Sequence, residues 1–370
     1  MKQNKRILLV FGTRPEAIKM CPLVKELKGI DGFDVKVCLT GQHKEMLYSV
    51  TKHFEVFADY DLGIMRSGQG LFEITERITK GMRSLLMNLS PDIVLVHGDT
   101  TTAFATALAC FYMKIPVGHV EAGLRTYDAQ SPYPEEFNRR AISVIAKYHF
   151  APTYRAKENL LSEGIKESSV FITGNTGIDA LFTTVRDDYR SDLLDELSGK
   201  RVILITAHRR ENLGEPMRNM FKAIKRVISE HPDTAAVYPI HLNPEVRRIA
   251  DDILKDEERI RIIEPLDVFD FHNLMARSYL ILTDSGGIQE EAPSLGVPVI
   301  VMRETTERPE GISAGTLKLA GVSEDGIYDS FTRLLNSDEE YSKMAKAQNP
   351  YGDGNASRRI ADILKREFTD

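Results

Sequence analysis

The chain has no tryptophan, three cysteines and no long hydrophobic run. The longest apolar stretch, Ala103 to Met113, is about half the ~20 residues that a membrane-spanning helix needs. No membrane partner is therefore expected. Met1-Lys2-Gln3-Asn4-Lys5 leads straight into a strand-like run, so no export signal is read. Cys21, Cys38 and Cys110 are odd in number, scattered and without metal-ligand spacing. They read as buried thiols in a reducing compartment, and a cytoplasmic protein is expected. A net charge of −6 argues against a nucleic-acid surface and leaves a small molecule as the expected partner. Neither a Walker phosphate loop nor a GxGxxG fingerprint follows the first strand, which weakens kinase and nicotinamide-dehydrogenase readings.

What is present is a repeated strand-helix rhythm. Strand-like runs at Arg6–Phe11, Asp34–Leu39, Asp92–Val96 and Val117–Val120 alternate with helical patterns at Ile18–Leu27, toward Phe54, at Leu71–Leu86 and at Ala103–Tyr112. The rhythm restarts at Arg201–Ile205, with a long helix to about Glu230 and further strands at Ala235–Ile240, Ile260–Ile263, Tyr279–Leu282 and Val297–Met302. This pattern predicts an α/β protein with two doubly wound, Rossmann-like parallel sheets. At 370 residues the chain is long enough for both. Thr173-Gly174-Asn175-Thr176-Gly177 and the charged segment Arg186 to Lys200 have turn and linker composition, which places the boundary near residue 175. Arg6-Ile7-Leu8-Leu9-Val10 and Arg201-Val202-Ile203-Leu204-Ile205 echo each other weakly, as architectural duplication would produce.

Ligands of open α/β sheets sit beyond the carboxyl ends of strands. After Tyr279-Leu280-Ile281-Leu282 comes Thr283-Asp284-Ser285-Gly286-Gly287, a small-residue turn that lets backbone amides approach a diphosphate. Glu290 and Glu291 follow closely and suit ribose hydroxyls. After the first strand, Gly12-Thr13-Arg14-Pro15-Glu16 carries a capping box, Thr13 with Glu16, and projects Arg14 and Lys19 where an anion would bind. His97-Gly98-Asp99-Thr100 ends another strand. Thr100 to Thr102 offer the helix cap without Asp99, which leaves that acid for chemistry. Glu121 follows another strand, and a Pro-bracketed turn fixes the entry of Glu135 into the helix after it. Carboxylates meeting in a partly dry site would perturb one another, which suits proton transfer. His208 and His241 join His97 and His119 at strand ends. No pair has metal-ligand spacing, and no metal is expected. Arg303 adds a cation after the strand that follows the Gly-Gly turn.

Gly12-Thr13-Arg14-Pro15-Glu16, His97-Gly98-Asp99-Thr100, His119-Val120-Glu121-Ala122-Gly123-Leu124-Arg125, Pro134-Glu135-Glu136, His208-Arg209-Arg210-Glu211-Asn212, Ser285-Gly286-Gly287 and Glu307-Arg308-Pro309-Glu310 resemble, in order, the non-hydrolysing UDP-N-acetylglucosamine 2-epimerases of bacteria. The resemblance implies a GT-B-like fold with two Rossmann-like domains facing a central cleft. It divides the chain into residues 1–174 for sugar and acid-base chemistry, 175–352 for UDP, and a terminal helix, 353–370, crossing back to the first domain. It implies interconversion of UDP-GlcNAc and UDP-ManNAc through a bound 2-acetamidoglucal, with no cofactor, supplying ManNAc for surface polysaccharide. Asp99, Glu121, Glu135 and His208 are the implied catalytic residues. Arg14, Lys19, Phe271, Ser285, Gly286, Gly287, Glu291 and Arg308 are the implied substrate ligands. Gln42, His43, Gln69, Arg209 and His241 resemble an activating second UDP-GlcNAc site, and a homodimer is implied. A hydrolysing epimerase, a GT-B glycosyltransferase and a non-catalytic nucleotide-sugar sensor are the rival readings.

Overall fold

The computed structural model describes residues 4–41, 44–66 and 68–369, in two compact units. The first comprises residues up to 180 together with 352 onward; the second comprises 181–351. The chain leaves the first unit inside the helix Thr176–Thr184 and returns at Gly352.

The first unit holds strands β1 (Lys5–Phe11), β2 (Phe33–Leu39), β3 (Tyr60–Asp61), β4 (Ile93–His97), β5 (Val117–Val120), β6 (Tyr148–Ala151) and β7 (Val170–Ile172). They form one sheet in the order β3-β2-β1-β4-β5-β6-β7, with parallel pairing throughout. Parallel strands covered on both faces have no solvent side, which is why β4 and β5 are buried at every position. Leu8, Val10, Val94 and Val96 pack toward the helices Leu71–Leu89 and Thr101–Tyr112. The terminal helix Ala356–Thr369 packs on the helix Arg14–Lys28. Cys21, Cys38 and Cys110 are buried free thiols, each pushed up to about 12 by burial.

The second unit holds β8 (Arg201–Thr206), β9 (Thr234–Pro239), β10 (Ile260–Ile263), β11 (Leu280–Thr283), β12 (Val299–Val301) and β13 (Leu317–Leu319), in the parallel order β10-β9-β8-β11-β12-β13. Side chains alternate across the strand: Ile203 and Ile205 enter one core, Val202 and Leu204 the other. The two echoing sequences, β1 and β8, occupy the same place in their sheets, next to the strand where the order reverses. The segment from Arg186 to Lys200, expected as linker, instead folds onto the second unit. Its helix Asp192–Glu196 brings Leu193 and Leu194 against the core, and Arg186 N–H donates to Asn273 Oδ1 at 2.9 Å. Charged residues on both sides of Leu193 and Leu194 disguised their apolar contact.

Candidate active site

Strand order reverses between β1 and β4, and the loops leaving both strands meet there. Gly12 is required at this junction because an added Cβ would lie 2.0 Å from Thr40 Oγ1 and 2.6 Å from Thr102 Oγ1. Thr13 caps the helix Arg14–Lys28 and completes the capping box with Glu16. Glu16 does more than cap. Its buried carboxylate accepts from Gly12 N–H at 3.0 Å, Thr13 N–H at 2.8 Å and Thr100 O–H at 2.6 Å, tying the β1 loop to the β4 loop. Burial raises its pKa, against the pull of those hydrogen bonds. Thr100 caps the helix Thr101–Tyr112, so Asp99 is not the cap.

Two of the three expected acids, Asp99 and Glu121, lie at strand ends, and Glu135 lies near them. Asp99 is paired with Arg139, and its backbone carbonyl accepts from Asn138 Nδ2 at 2.9 Å. Its pKa is raised, first by burial and further by the neighbouring Glu121 and Glu135 charges, while Arg139 pulls it down. Glu121 directly follows β5 at φ +62°, the left-handed region that a glutamate adopts only where its surroundings impose it. Its carboxylate meets Lys19 Nζ, Asn175 Nδ2 at 3.1 Å and His97 Nε2 at 3.7 Å. Lys19, expected as an anion ligand, is thus a partner of Glu121. Burial pushes His97 down to about 4, so the imidazole facing Glu121 is neutral near pH 7. Glu135 opens the helix Glu135–Ile145 and is half-buried. The adjacent Glu136 is structural: fully buried, it accepts from Thr126 N–H at 3.1 Å and Tyr127 N–H at 3.0 Å. His119 also has a structural place, its Nε2–H donating to the Gly98 carbonyl at 2.7 Å. Arg14 is half-buried beside Thr13.

The second sheet repeats the arrangement at β8 and β11. Asp284, fully buried, accepts from His208 N–H at 2.9 Å, Arg209 N–H at 2.9 Å and Asn212 Nδ2 at 3.1 Å. His208 Nδ1 lies 3.4 Å from Asp284 Oδ1, and its ring stacks on His241 with centroids 5.4 Å apart. Burial lowers the His208 pKa; Asp284 opposes this. The N–H of Ser285 is taken by Thr283 Oγ1 at 2.9 Å, so Gly286 and Gly287 supply the open backbone of the turn. Two guanidiniums flank it. A Cβ at Gly286 would lie 3.6 Å from Arg209 Nη2 and 3.6 Å from Arg308 Nη2.

Two expectations change here. Glu290, read as a ribose acceptor, is buried and holds Arg308 Nε. Arg303, read as an added cation at the strand end, is buried in a fork with Glu307 at 2.6 and 3.0 Å and pairs with Glu211 at 2.9 Å. Burial works against charge on Glu307, yet the Arg303 fork brings its pKa to about 2. Arg209 lies beside the Gly286 turn and His241 stacks on His208. Glu291 closes the helix Gly286–Glu291, 3.7 Å from His272 Nε2, and His272 Nδ1 shares a 2.6 Å hydrogen bond with Thr184. Phe271 is half-buried against the second core. Gln69 accepts from Arg66 N–H at 3.1 Å in an exposed loop, while Gln42 and His43 lie outside the described residues. Among the described residues no group of three or more His, Cys, Asp or Glu is placed to hold a metal, and no helix is long and apolar enough to cross a membrane.

A doubly wound unit with clustered acid-base carboxylates, and another whose Gly-Gly turn lies between two guanidiniums, define an α/β enzyme of anionic, nucleotide-like substrates. Comparison with known proteins narrows this. The family model described as UDP-N-acetylglucosamine 2-epimerase matches residues 25–365. The UDP-N-acetylglucosamine 2-epimerase of Bacillus subtilis is 58% identical over 98% of this chain and 96% of its own. The crystal structure of UDP-GlcNAc 2-epimerase from Neisseria meningitidis bound to UDP-GlcNAc superposes with a TM-score of 0.89 at 50% identity, covering 98% of this chain and 100% of that one. The S. aureus MnaA-UDP co-structure gives 0.91 at 51% identity, covering 99% and 97%. The chain belongs to the UDP-N-acetylglucosamine 2-epimerase family, and its two parallel-sheet units are of the GT-B-like type.

Proposed function

We propose that this protein interconverts UDP-GlcNAc and UDP-ManNAc by eliminating UDP across C1–C2 and adding it back with the opposite configuration at C2. A base takes the C2 proton as the C1–O bond breaks. The electron pair leaves with UDP, and a 2-acetamidoglucal remains. Return of a proton to the other face of C2, with the UDP oxygen rejoining C1, completes the exchange. Nothing is consumed, so no redox cofactor is needed.

The observation that carries the reading is the gathering of Asp99 and Glu121, with Glu135 near enough to raise the pKa of Asp99, at the carboxyl ends of adjacent strands. Inverting C2 through a planar intermediate needs two acid-base groups on opposite faces, and this set supplies them. Arg209, Arg308 and the Gly286-Gly287 backbone, with His208, hold the diphosphate as charge develops on it. Glu291, backed by His272, takes the ribose, and Phe271 lies at the base. A second UDP-GlcNAc at Gln42, His43 and Gln69 would activate the enzyme, and cooperative kinetics would reveal it. Exposed apolar side chains on three successive helices of the first unit, Met87, Phe111, Tyr112 and Val144 among them, support a homodimer. A cytoplasmic role in supplying ManNAc for surface polysaccharide fits this chemistry.

Chromatography of the products tests the reading. UDP-GlcNAc should convert to a mixture with UDP-ManNAc without net release of UDP, whereas accumulation of free ManNAc would establish hydrolysis instead.

A further inference from the structure

Asn175 belongs to the stretch read from sequence as linker, yet its side chain is buried and engaged at both ends. Oδ1 accepts from Gly177 N–H at 2.8 Å, as a helix cap does for Thr176–Thr184. A backbone N–H can only donate, so the carboxamide orientation is fixed and Nδ2 must face Glu121 Oε2, 3.1 Å away. Lys19 and His97 meet that same oxygen. Lys19 from the helix Arg14–Lys28, His97 from β4, Asp99 beyond it, and Asn175 all bear on Glu121. Asn175 is the member of the set that does not titrate. It approaches from an element that leaves the first unit a few residues later.

We infer that Asn175 is a positioning residue for the reaction, fixing the Glu121 carboxylate in its left-handed turn through Nδ2 while its own Oδ1 is locked by the helix start. The inference rests on the reading of Glu121 as an acid-base group. A bare capping role is the structural alternative, and the two separate cleanly. Aspartate caps a helix as well as asparagine, so Asn175→Asp keeps the Gly177 hydrogen bond. It also replaces the donor facing Glu121 with a second carboxylate. Asn175→Ser keeps a capping oxygen and removes the donor without adding charge.

The test measures kcat, KM, UDP affinity and thermal midpoint for Asn175→Asp and Asn175→Ser beside Glu121→Gln. The expected result is a kcat loss of ~100-fold for Asn175→Asp and ~10-fold for Asn175→Ser. KM and UDP affinity should stay within about threefold of the parent. Near-parental kcat in Asn175→Asp alongside an inactive Glu121→Gln overturns the inference and leaves the reading of Glu121 standing. An active Glu121→Gln overturns that reading itself. Should Asn175→Asp fail to fold, the serine variant decides: undiminished kcat there contradicts the positioning role.

Discussion

Glu290 shows how one side chain's neighbour changes its meaning. Its place beside Glu291 suggests a hydroxyl acceptor, but its carboxylate holds Arg308, whose Nη2 lies against the Gly286 turn. A charge-assisted bond of this kind orients the guanidinium as well as stabilising it. Glu290→Gln should therefore weaken UDP binding by ~10-fold in calorimetry, and undiminished affinity would separate Arg308 from the diphosphate. His119 carries a different prediction. Burial lowers its pKa from 6.5 to about 3, so folding holds it neutral while the unfolded chain takes up a proton. Its contribution to stability is present above pH 6.5 and is lost as pH falls from there toward 3. His97 and His149, each lowered to about 4, act in the same direction. Denaturation midpoints of the parent and His119→Gln should converge as pH drops from 7 to 4. A gap constant across that range would contradict the assignment of a buried neutral imidazole.

Each sheet places a buried carboxylate at its switch point. Glu16 ties the amides after β1 to Thr100 after β4, and Asp284, after β11, ties the amides after β8. Both fix loops that leave neighbouring strands, so a local change should move several site residues together. Asp284→Asn turns one acceptor oxygen into a donor facing N–H groups, a loss of about 2–3 kcal/mol in urea unfolding. It should also reduce UDP affinity through His208 and Arg209; unchanged affinity would show that the loop does not carry them. These pairings were not legible in the sequence. Lys19 and Glu121 are 102 residues apart, and Arg139 and Asp99 are 40 apart, so only the strand order brings them together. Asp99 and Glu121 were legible because they close apolar strand runs, and Glu135 because a Pro-bracketed turn leads it into a helix. The same runs marked β1, β2, β4, β5 and β8 to β12. The strands β3, β6, β7 and β13 were not read from the sequence.

At the scale of the molecule, the family, the two sheets and the repeated use of β1 and β8 agree with a duplicated architecture in which the halves have diverged in chemistry. The first unit is rich in strand-end acids and the second in guanidiniums around a glycine turn. The exposed apolar helices of the first unit add an assembly prediction: Val144→Glu, at a position 83% exposed, should shift sedimentation from dimer to monomer. A parent chain that sediments as a monomer would remove that proposal. The central claim is narrower, that the carboxylates exchange the C2 proton of a sugar whose UDP is retained. It is tested most directly by incubating the enzyme with UDP-GlcNAc in D2O and following C2 by proton NMR. The account predicts deuterium at C2 of both nucleotide sugars as UDP-ManNAc accumulates, with loss of exchange in Asp99→Asn, Glu121→Gln and Glu135→Gln while UDP still binds. Full retention of the C2 proton in UDP-ManNAc formed by the parent enzyme would contradict it.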